Sequence, residues 1–410
     1  MSEHVPANEP PINRPPVVAD AAPPTVDAQE GVSQIRIGGF KIPTDTLRAY
    51  TMVFALLLIW AVFHYTTDQT FLGARNLSKL LQQSAVTGVL SVGMLMVIVS
   101  GQIDLSVGSV VGLAGGLAAM TQGWGVLPSL AMAIVIGIAI GAIHGVLVAY
   151  VNIPAFIVTL GGMLAWAGVT LGLMKGETIP LTLPAFRSIG EQFVAPMIGN
   201  ALALAAIAFI VWSAMRRNSA RRRHNLPVPG MASTIARIAF PSIVIAFFIY
   251  LMNKQGGVPI SVLIMLVVAV IGAFVTQNTT FGRYLYAIGG NPDAARLSGI
   301  SLRRHILSAF CIMGALAGLA ALIHTARQGA AAPEAGKLME LDAIAACVIG
   351  GTSLLGGRGT VFGAILGALI MSSLDNGMSL LDYQPHVQPI VKGLVLVAAV
   401  GFDMLSRQRS

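Results

Sequence analysis

The chain has 410 residues, of which 55% are hydrophobic and only 10% charged, and its formal net charge is +8. Soluble domains carry roughly 25% charged residues, so a chain with a mean hydropathy of +0.78 lacks the polar surface to cover itself in water and must use lipid as its solvent. The basic excess does not point to nucleic acid, because Lys and Arg stand in short clusters between apolar runs, the pattern of cytoplasmic loops.

Residues 1–46 are rich in Pro, Ala and Asp and have no apolar core. They lack the charged start, apolar centre and cleavage site of a secretory signal, and they read as a disordered cytoplasmic tail. The first apolar run, 47–65, is long enough to cross a ~30 Å hydrocarbon layer. Further runs lie near 84–101, 106–122, 127–151, 154–174, 198–215, 235–252, 258–277, 305–326, 341–371 and 387–405. The composition therefore predicts an all-α polytopic membrane protein whose permease domain covers 47–405. Ten to twelve membrane segments are expected, some of them re-entrant or broken, because Gly and Asp interrupt several runs. Irregular backbone at membrane depth is tolerated only where protein or a water-filled cavity covers it.

Orientation follows from the basic loops. RRNSARRRH at 216–224 holds five arginines, the loop 278–304 adds Arg283, Arg296, Arg303 and Arg304, and the tail 406–410 adds Arg407 and Arg409. The loops at about 216–236 and 278–304 and both termini are expected on the cytoplasmic side of the membrane. An internal repeat is also legible: 97–120 aligns without gaps to 348–371. Gly108, Gly112 and Gly116 then stand opposite Gly359, Gly363 and Gly367. Each half reads as an apolar strip, a Gly/polar break and a helix with a glycine every four residues, a spacing that lets backbones approach. Repeats with broken helices at matching positions are common in transporters. Low-complexity sequence matching itself is the plainer alternative.

Asp104 is the most informative single residue. It lies in SGQIDLSVGS between two apolar runs, where an ionised carboxylate costs about 2.5–3.5 kcal/mol at a helix centre. It either serves as a structural cap of the helix beginning near Ser106 or a hinge, or it touches what is transported. A second stretch, FGRYLYAIGGNPDAARLSGISLRR (281–304), has Pro292 at a first helical turn, the small pair Ala294–Ala295, Arg296 and a terminating Gly299. It describes a short helix on the membrane face, small enough to dock into another protein; an ordinary interfacial loop is the alternative. In GKLMELDAIAACVIGGTSLLGGRG (336–359) the glycines suit a helix break, since no G-x-x-x-x-G-K-[ST] occurs anywhere in the chain. His144, His324, Asp375 and Asn376 are intramembrane polar groups, functional candidates by default, although a histidine bonded to a neighbouring helix is commoner. No metal-ligand spacing and no nucleophile–base motif is present, and Cys311 and Cys347 form no pair.

QIDLSVGSVVGLAGG (102–116), YAIGGNPDAARLSGI (286–300) and ELDAIAACVIGGTSLLGG (340–357) resemble the permeases of bacterial ATP-binding-cassette (ABC) sugar importers, the group that includes ribose, arabinose, galactose and xylose permeases. The resemblance covers nearly the whole chain after the tail. TTDQTFLGARNLSKLLQQ (66–83), AIAACVIGGTSL (343–354) and SLDNGMS (373–379) are most similar to the D-xylose branch. Gln102 and Leu355 depart from the family pattern, as does the long tail. The resemblance implies an inner-membrane transport subunit without its own ATPase. It implies a homodimer of permeases, a separate ATPase chain that binds ATP and Mg, and a periplasmic sugar-binding protein. Gly290, Asn291, Ala294, Ala295, Arg296, Ser298 and Gly299 would dock onto the ATPase. Asp104, Ser106, Gly108, Gly112, Gly359, Gly363, Asp375 and Asn376 are the candidates for the translocation pathway. The loops 175–196 and 327–340 would offer Lys175, Glu177, Arg187, Glu191, Arg327, Glu334 and Lys337 to the binding protein. A secondary transporter driven by H⁺ or Na⁺, with Asp104, His144 and Asp375 as a relay, is the reading from another class.

Overall fold

The computed structural model describes residues 34–37, 40–227 and 230–408, with side chains described over 51–227, 230–231 and 233–401. Two compact units are separated at Leu47. In the first, β1 (Gln34–Ile37) and β2 (Phe40–Pro43) pair antiparallel, Gln34 opposite Pro43 and Ile37 opposite Phe40. The rest of the tail expected over 1–46 lies almost wholly outside the described residues.

The helical unit follows the apolar runs closely. Helix α1 (Thr44–Thr66) precedes α2 (Ala74–Val99), α3 (Val107–Met120), α4 (Val126–Ala149) and α5 (Ala155–Met174). Strand β3 (Ile179–Pro180), α6 (Pro184–Glu191) and β4 (Phe193–Val194) lead into α7 (Pro196–Arg223) and α8 (Met231–Asn253). Then come β5 (Val258–Pro259), α9 (Ile260–Asn278), α10 (Thr280–Gly290), α11 (Pro292–Leu297) and α12 (Leu302–Gln328). Strand β6 (Ala330–Ala331), α13 (Met339–Ile349), α14 (Val361–Leu380) and α15 (Val387–Gln408) complete the described chain. Among the described residues eight helices (α2, α4, α5, α7, α8, α9, α12 and α14) are long and apolar enough to cross a membrane, and α1, α3 and α15 hold shorter apolar stretches.

Three runs depart from the sequence reading for physical reasons. The run 198–215 continues as α7 to Arg223, so most of the loop expected over 216–236 is helix, because adding one backbone bond per residue extends a helix past its apolar stretch. Helix α2 begins ten residues ahead of its apolar run, because Asn76 is buried with its amide bonded inside the protein. The run 341–371 is two helices. Between them Gly351, Gly356 and Gly357 have φ of +84°, +89° and +72°, a left-handed backbone that side chains resist.

Helix α2 is buried on nearly every side, the expected place for a helix apolar all round. Around it the bundle closes on small residues: Gly137 and Gly141 of α4 meet the backbone of Gly314 and Phe310 of α12. In lipid, where apolar surface gains little by leaving the solvent, such close backbone packing drives helix association.

Short pairings mark the two ends of the unit. At one end β3 pairs with β6, β4 with β5, and Gln122 accepts from the Thr182 amide at 2.7 Å while donating to the Pro180 carbonyl at 3.0 Å. This gathers the connections that follow α3, α5, α8 and α12. At the other end the Arg303 guanidinium lies 5.8 Å over the Tyr150 ring, and the Gly357 amide donates to the Val99 carbonyl at 2.9 Å. The arginines of α7 occupy its last turns, away from the end that holds β4.

Candidate functional site

The first break, residues 100–106, is held by a chain of buried side chains. Asp104, 3% exposed, accepts from the Ser106 amide at 2.9 Å and from the Ser106 hydroxyl at 2.6 Å. Trp166 Nε1, a donor only, donates to His144 Nε2 at 3.1 Å. That fixes the imidazole proton on Nδ1, which faces the Ser106 oxygen at 3.2 Å. The order is Trp166, His144, Ser106, Asp104, with one donor for each acceptor. Helices α3, α4 and α5 are thereby locked to the break, and Thr159 Oγ1 reaches the Ile103 carbonyl at 3.3 Å. Asp104 thus turns the backbone ahead of α3 by holding its N-cap residue Ser106 and makes no cap bond to the helix itself, and His144 bonds a neighbouring helix.

The glycines on α3 and α14 serve close packing. A Cβ on Gly108 would meet Glu340 and the Gly336 carbonyl, one on Gly112 the Ala335 carbonyl, and one on Gly363 the Gly350 carbonyl. Gly359 abuts Leu95 and Thr352. The two glycine faces proposed as pathway walls are therefore covered by the protein's own chain. The groove between α3 and α5, lined by Leu113, Gly116, Thr170 and Met174 among others, leaves no room for a water molecule.

Both breaks converge on the C-terminal end of α10. Gly289 sits against the Val99 carbonyl and the Gly357 amide, and Gly101 and Gly356 pack on Gly289 in turn. Immediately beyond it comes α11. Asn291 caps this helix, accepting from the Ala294 amide at 2.9 Å, Pro292 occupies its first turn, and Gly299 ends it at φ +80°. Asn291, Ala294, Arg296, Ser298 and Gly299 are exposed. Ala295 is 4% exposed and faces inward, so it supports the helix rather than presenting a surface. Leu297, absent from the sequence-based set, is 90% exposed. An apolar residue between Arg296 and Ser298 on a short polar helix was the signal available for it.

Asp375 and Asn376 belong to a third cluster, on α14. Asn376 and Asn76 of α2 exchange side-chain hydrogen bonds at 2.7 and 3.1 Å, and Trp60 of α1 donates to Ser373 at 2.9 Å. Lys392 of α15 lies 2.9 Å from Asp342 of α13 and 2.9 Å from Asp375. Asp375 is thus an ion-pair partner and makes no bond to His144 or Asp104 among the described residues. Lys392, the one cation inside the run 387–405, was the overlooked member. Of the loop charges, Arg187 and Glu191 pair with each other at 2.7 Å, and Lys337 lies 3.7 Å from Glu334. Arg327 differs from the expected exposed loop charge: its Nε is buried without a partner, because Gly190 of α6 packs on the Ala326–Arg327 backbone. Among the described residues no group of three metal-ligating side chains occurs.

Residues 76–400, the stretch that contains both breaks and α11, match the family described as the permease component of branched-chain amino acid transport systems. The chain belongs to this permease family. It is similar to the xylose transport system permease protein XylH of Escherichia coli K12, 44% identical over 378 residues, which are 91% of this chain and 96% of that protein. The Haemophilus influenzae protein of the same name is 44% identical over 90% of this chain and 100% of its own. The ribose import permease protein RbsC of Escherichia coli K12 is 36% identical over 85% of this chain and 91% of its own. No solved structure matches. The chain is a multi-pass transport component of the membrane.

Proposed function

We propose that this chain is the membrane-spanning permease subunit of an ABC importer that carries a monosaccharide, with D-xylose as the sugar, across a bacterial inner membrane. The observation that carries this is the 44% identity to a xylose permease over nearly the full length of both chains, well above the 36% to a ribose permease. The chain works as a homodimer with the pathway at the subunit interface. Two ATPase chains bind ATP and Mg on the cytoplasmic side, and a periplasmic sugar-binding protein delivers the sugar.

Twelve membrane segments alternate in direction: α1 to α5, α7 to α9 and α12 to α15, with α3 and α13 the short ones and α3 opposite the first half of α14 in the two repeat halves. Both termini, the arginines of α7 and helices α10 and α11 are then cytoplasmic, as the positive-inside rule favours. Docking uses Gly290, Asn291, Ala294, Arg296, Ser298 and Gly299 with Leu297 as the apolar anchor, and Ala295 supports them from behind. The contact between Gly289 and both helix breaks supports a mechanical route. When ATP closes the partner dimer, α11 moves and α10 displaces the breaks at Gly101 and Gly357. The alternation of the interface between outward and inward openings follows from that displacement. In this reading Asp104 and Ser106 hold the break, Gly108, Gly112, Gly359 and Gly363 are packing contacts that set how α3 and α14 slide, and Asp375 and Asn376 tie α14 to its neighbours at the outer end. A neutral sugar needs no charged site in the permease, so selectivity rests largely with the binding protein.

The test is uptake of labelled D-xylose in cells with and without the gene, with unlabelled ribose, arabinose and galactose as competitors. Loss of an uptake that only xylose competes for supports the importer and its sugar. Unchanged xylose uptake sinks the xylose assignment. Uptake abolished by a protonophore while ATP is held constant would instead favour a secondary transporter.

A further inference from the structure

No carboxylate occurs in the 101 residues between Glu191 and Asp293, while five arginines at 216–223, Arg237, Lys254 and Arg283 all do. The positive-inside rule accounts for the arginines but not for missing acids, because Asp and Glu contribute little to topology. The positive charge on α7 and α8 therefore has no counter-charge within its own stretch of sequence, and the structure shows where it concentrates. Near the basic ends of the two helices a cleft of about 140 Å³ is lined by Ser213, Arg217 and Asn218 of α7 and Thr234 and Arg237 of α8, with Ile210 and Ala214 at its apolar side. Asn218 donates to Thr234 at 3.4 Å, which holds the two helices at one level. Arg216 and Arg221 are occupied, the first stacked 5.2 Å over Trp212 and the second donating to the Pro227 carbonyl at 3.0 Å. Arg217 and Arg237 have no hydrogen bond or ion pair to any described residue.

The cleft lies at headgroup depth. Arg217 is 21 positions after the start of α7, about 31 Å along it at 1.5 Å per residue, against a hydrocarbon core of ~30 Å. Trp212, exposed and about one turn before Arg217, is where an interfacial aromatic belongs. Within α7 and α8 the only buried described residues are Gly199 and Met252, both at the opposite ends of these helices. The described flanks of the cleft are thus open to lipid.

We infer that this cleft binds the headgroup phosphate of an anionic glycerophospholipid. Arg217 and Arg237 pair with its phosphate oxygens, and an acyl chain runs along Ile210 and Ala214. The Thr234 hydroxyl, which accepts from Asn218, keeps its own proton to donate, while the Ser213 hydroxyl lines the cleft and donates to the Ile210 carbonyl at 3.0 Å. Basic pockets between membrane helices on the cytoplasmic side recognise lipid phosphates in this manner, and guanidinium groups match phosphate bidentately.

The test is native mass spectrometry of the delipidated full chain titrated with phosphatidylglycerol or phosphatidylcholine. Wild type should prefer phosphatidylglycerol, and Arg217→Gln with Arg237→Gln should lower that preference roughly tenfold to thirtyfold, about fivefold per basic group. Arg222→Gln with Arg223→Gln removes the same charge outside the cleft and should change it less than about twofold. Ser213→Leu fills the cleft without touching charge and should also abolish the preference, so the inference survives a failure of the arginine variants to fold. Inorganic phosphate at millimolar concentration should not displace the lipid. Equal losses in the two arginine pairs, a preference intact in Ser213→Leu, or full displacement by inorganic phosphate each overturns the headgroup site.

Discussion

Adjacent glycines at the end of α10 have opposite surroundings, and substituting each by alanine gives opposite outcomes. A Cβ on Gly289 would overlap the Val99 carbonyl and lie 2.8 Å from the Gly357 nitrogen, backbone atoms that no rotamer change can move aside. Those two atoms share a 2.9 Å hydrogen bond, worth about 0.5–1.5 kcal/mol net. Forcing a methyl group into packed space costs about 1–3 kcal/mol more, and the better helix propensity of alanine returns about 0.5–1 kcal/mol. The Gly289→Ala chain should therefore be about 1–3 kcal/mol less stable. Gly290 has no atom within 4 Å of its Cβ position, so Gly290→Ala keeps only the propensity gain of about 0.5–1 kcal/mol. Thermal unfolding in detergent, followed by tryptophan fluorescence, orders the three chains. Sugar uptake by the same variants tests whether the breaks are driven through Gly289. The reasoning fails if Gly289→Ala unfolds with wild type, or if Gly290→Ala is the more damaging of the two.

Lys392→Met should destabilise the bundle by about 3–5 kcal/mol, because Asp342 and Asp375 are left buried without a counter-charge; adding Asp342→Asn and Asp375→Asn should restore most of the unfolding temperature. Asn376→Leu leaves the Asn76 Oδ1 without its donor at about 1–3 kcal/mol, although the Asn76 amide keeps the Phe71 carbonyl. The double variant with Asn76→Leu should be less damaged than the sum of the two singles in a thermal cycle. Arg296→Glu should bring sugar uptake to background while membrane insertion, read by immunoblot of washed membranes, stays unchanged; normal uptake would remove Arg296 from the docking surface. Leu297→Ser, which deletes an exposed side chain, should leave the unfolding temperature within about 0.5 kcal/mol of wild type and weaken co-purification with the ATPase chain.

The solvent, the helical class and most helix positions were determined by the sequence itself. Hydrophobic length is a one-dimensional property set by bilayer thickness, and each of the runs 127–151, 154–174, 258–277 and 305–326 became a helix within three residues of the expected ends. The cap of Asn291, the proline turn and the stop at Gly299 were equally legible, because capping is local chemistry. Three things were decided only by the tertiary structure. The length of α2 depended on Asn376, 300 positions away, to accept the polar side chain of Asn76. The role of the glycine ladders depended on what covers them, since spacing shows that a face is flat and not whether it meets a cavity or a carbonyl. Asp104 and Asp375, alike in sequence as carboxylates amid apolar residues, parted company in space. One turns a helix break through Ser106 and the other meets an ammonium on α15. The partners of a buried charge are contributed by distant helices, and that is a matter of packing.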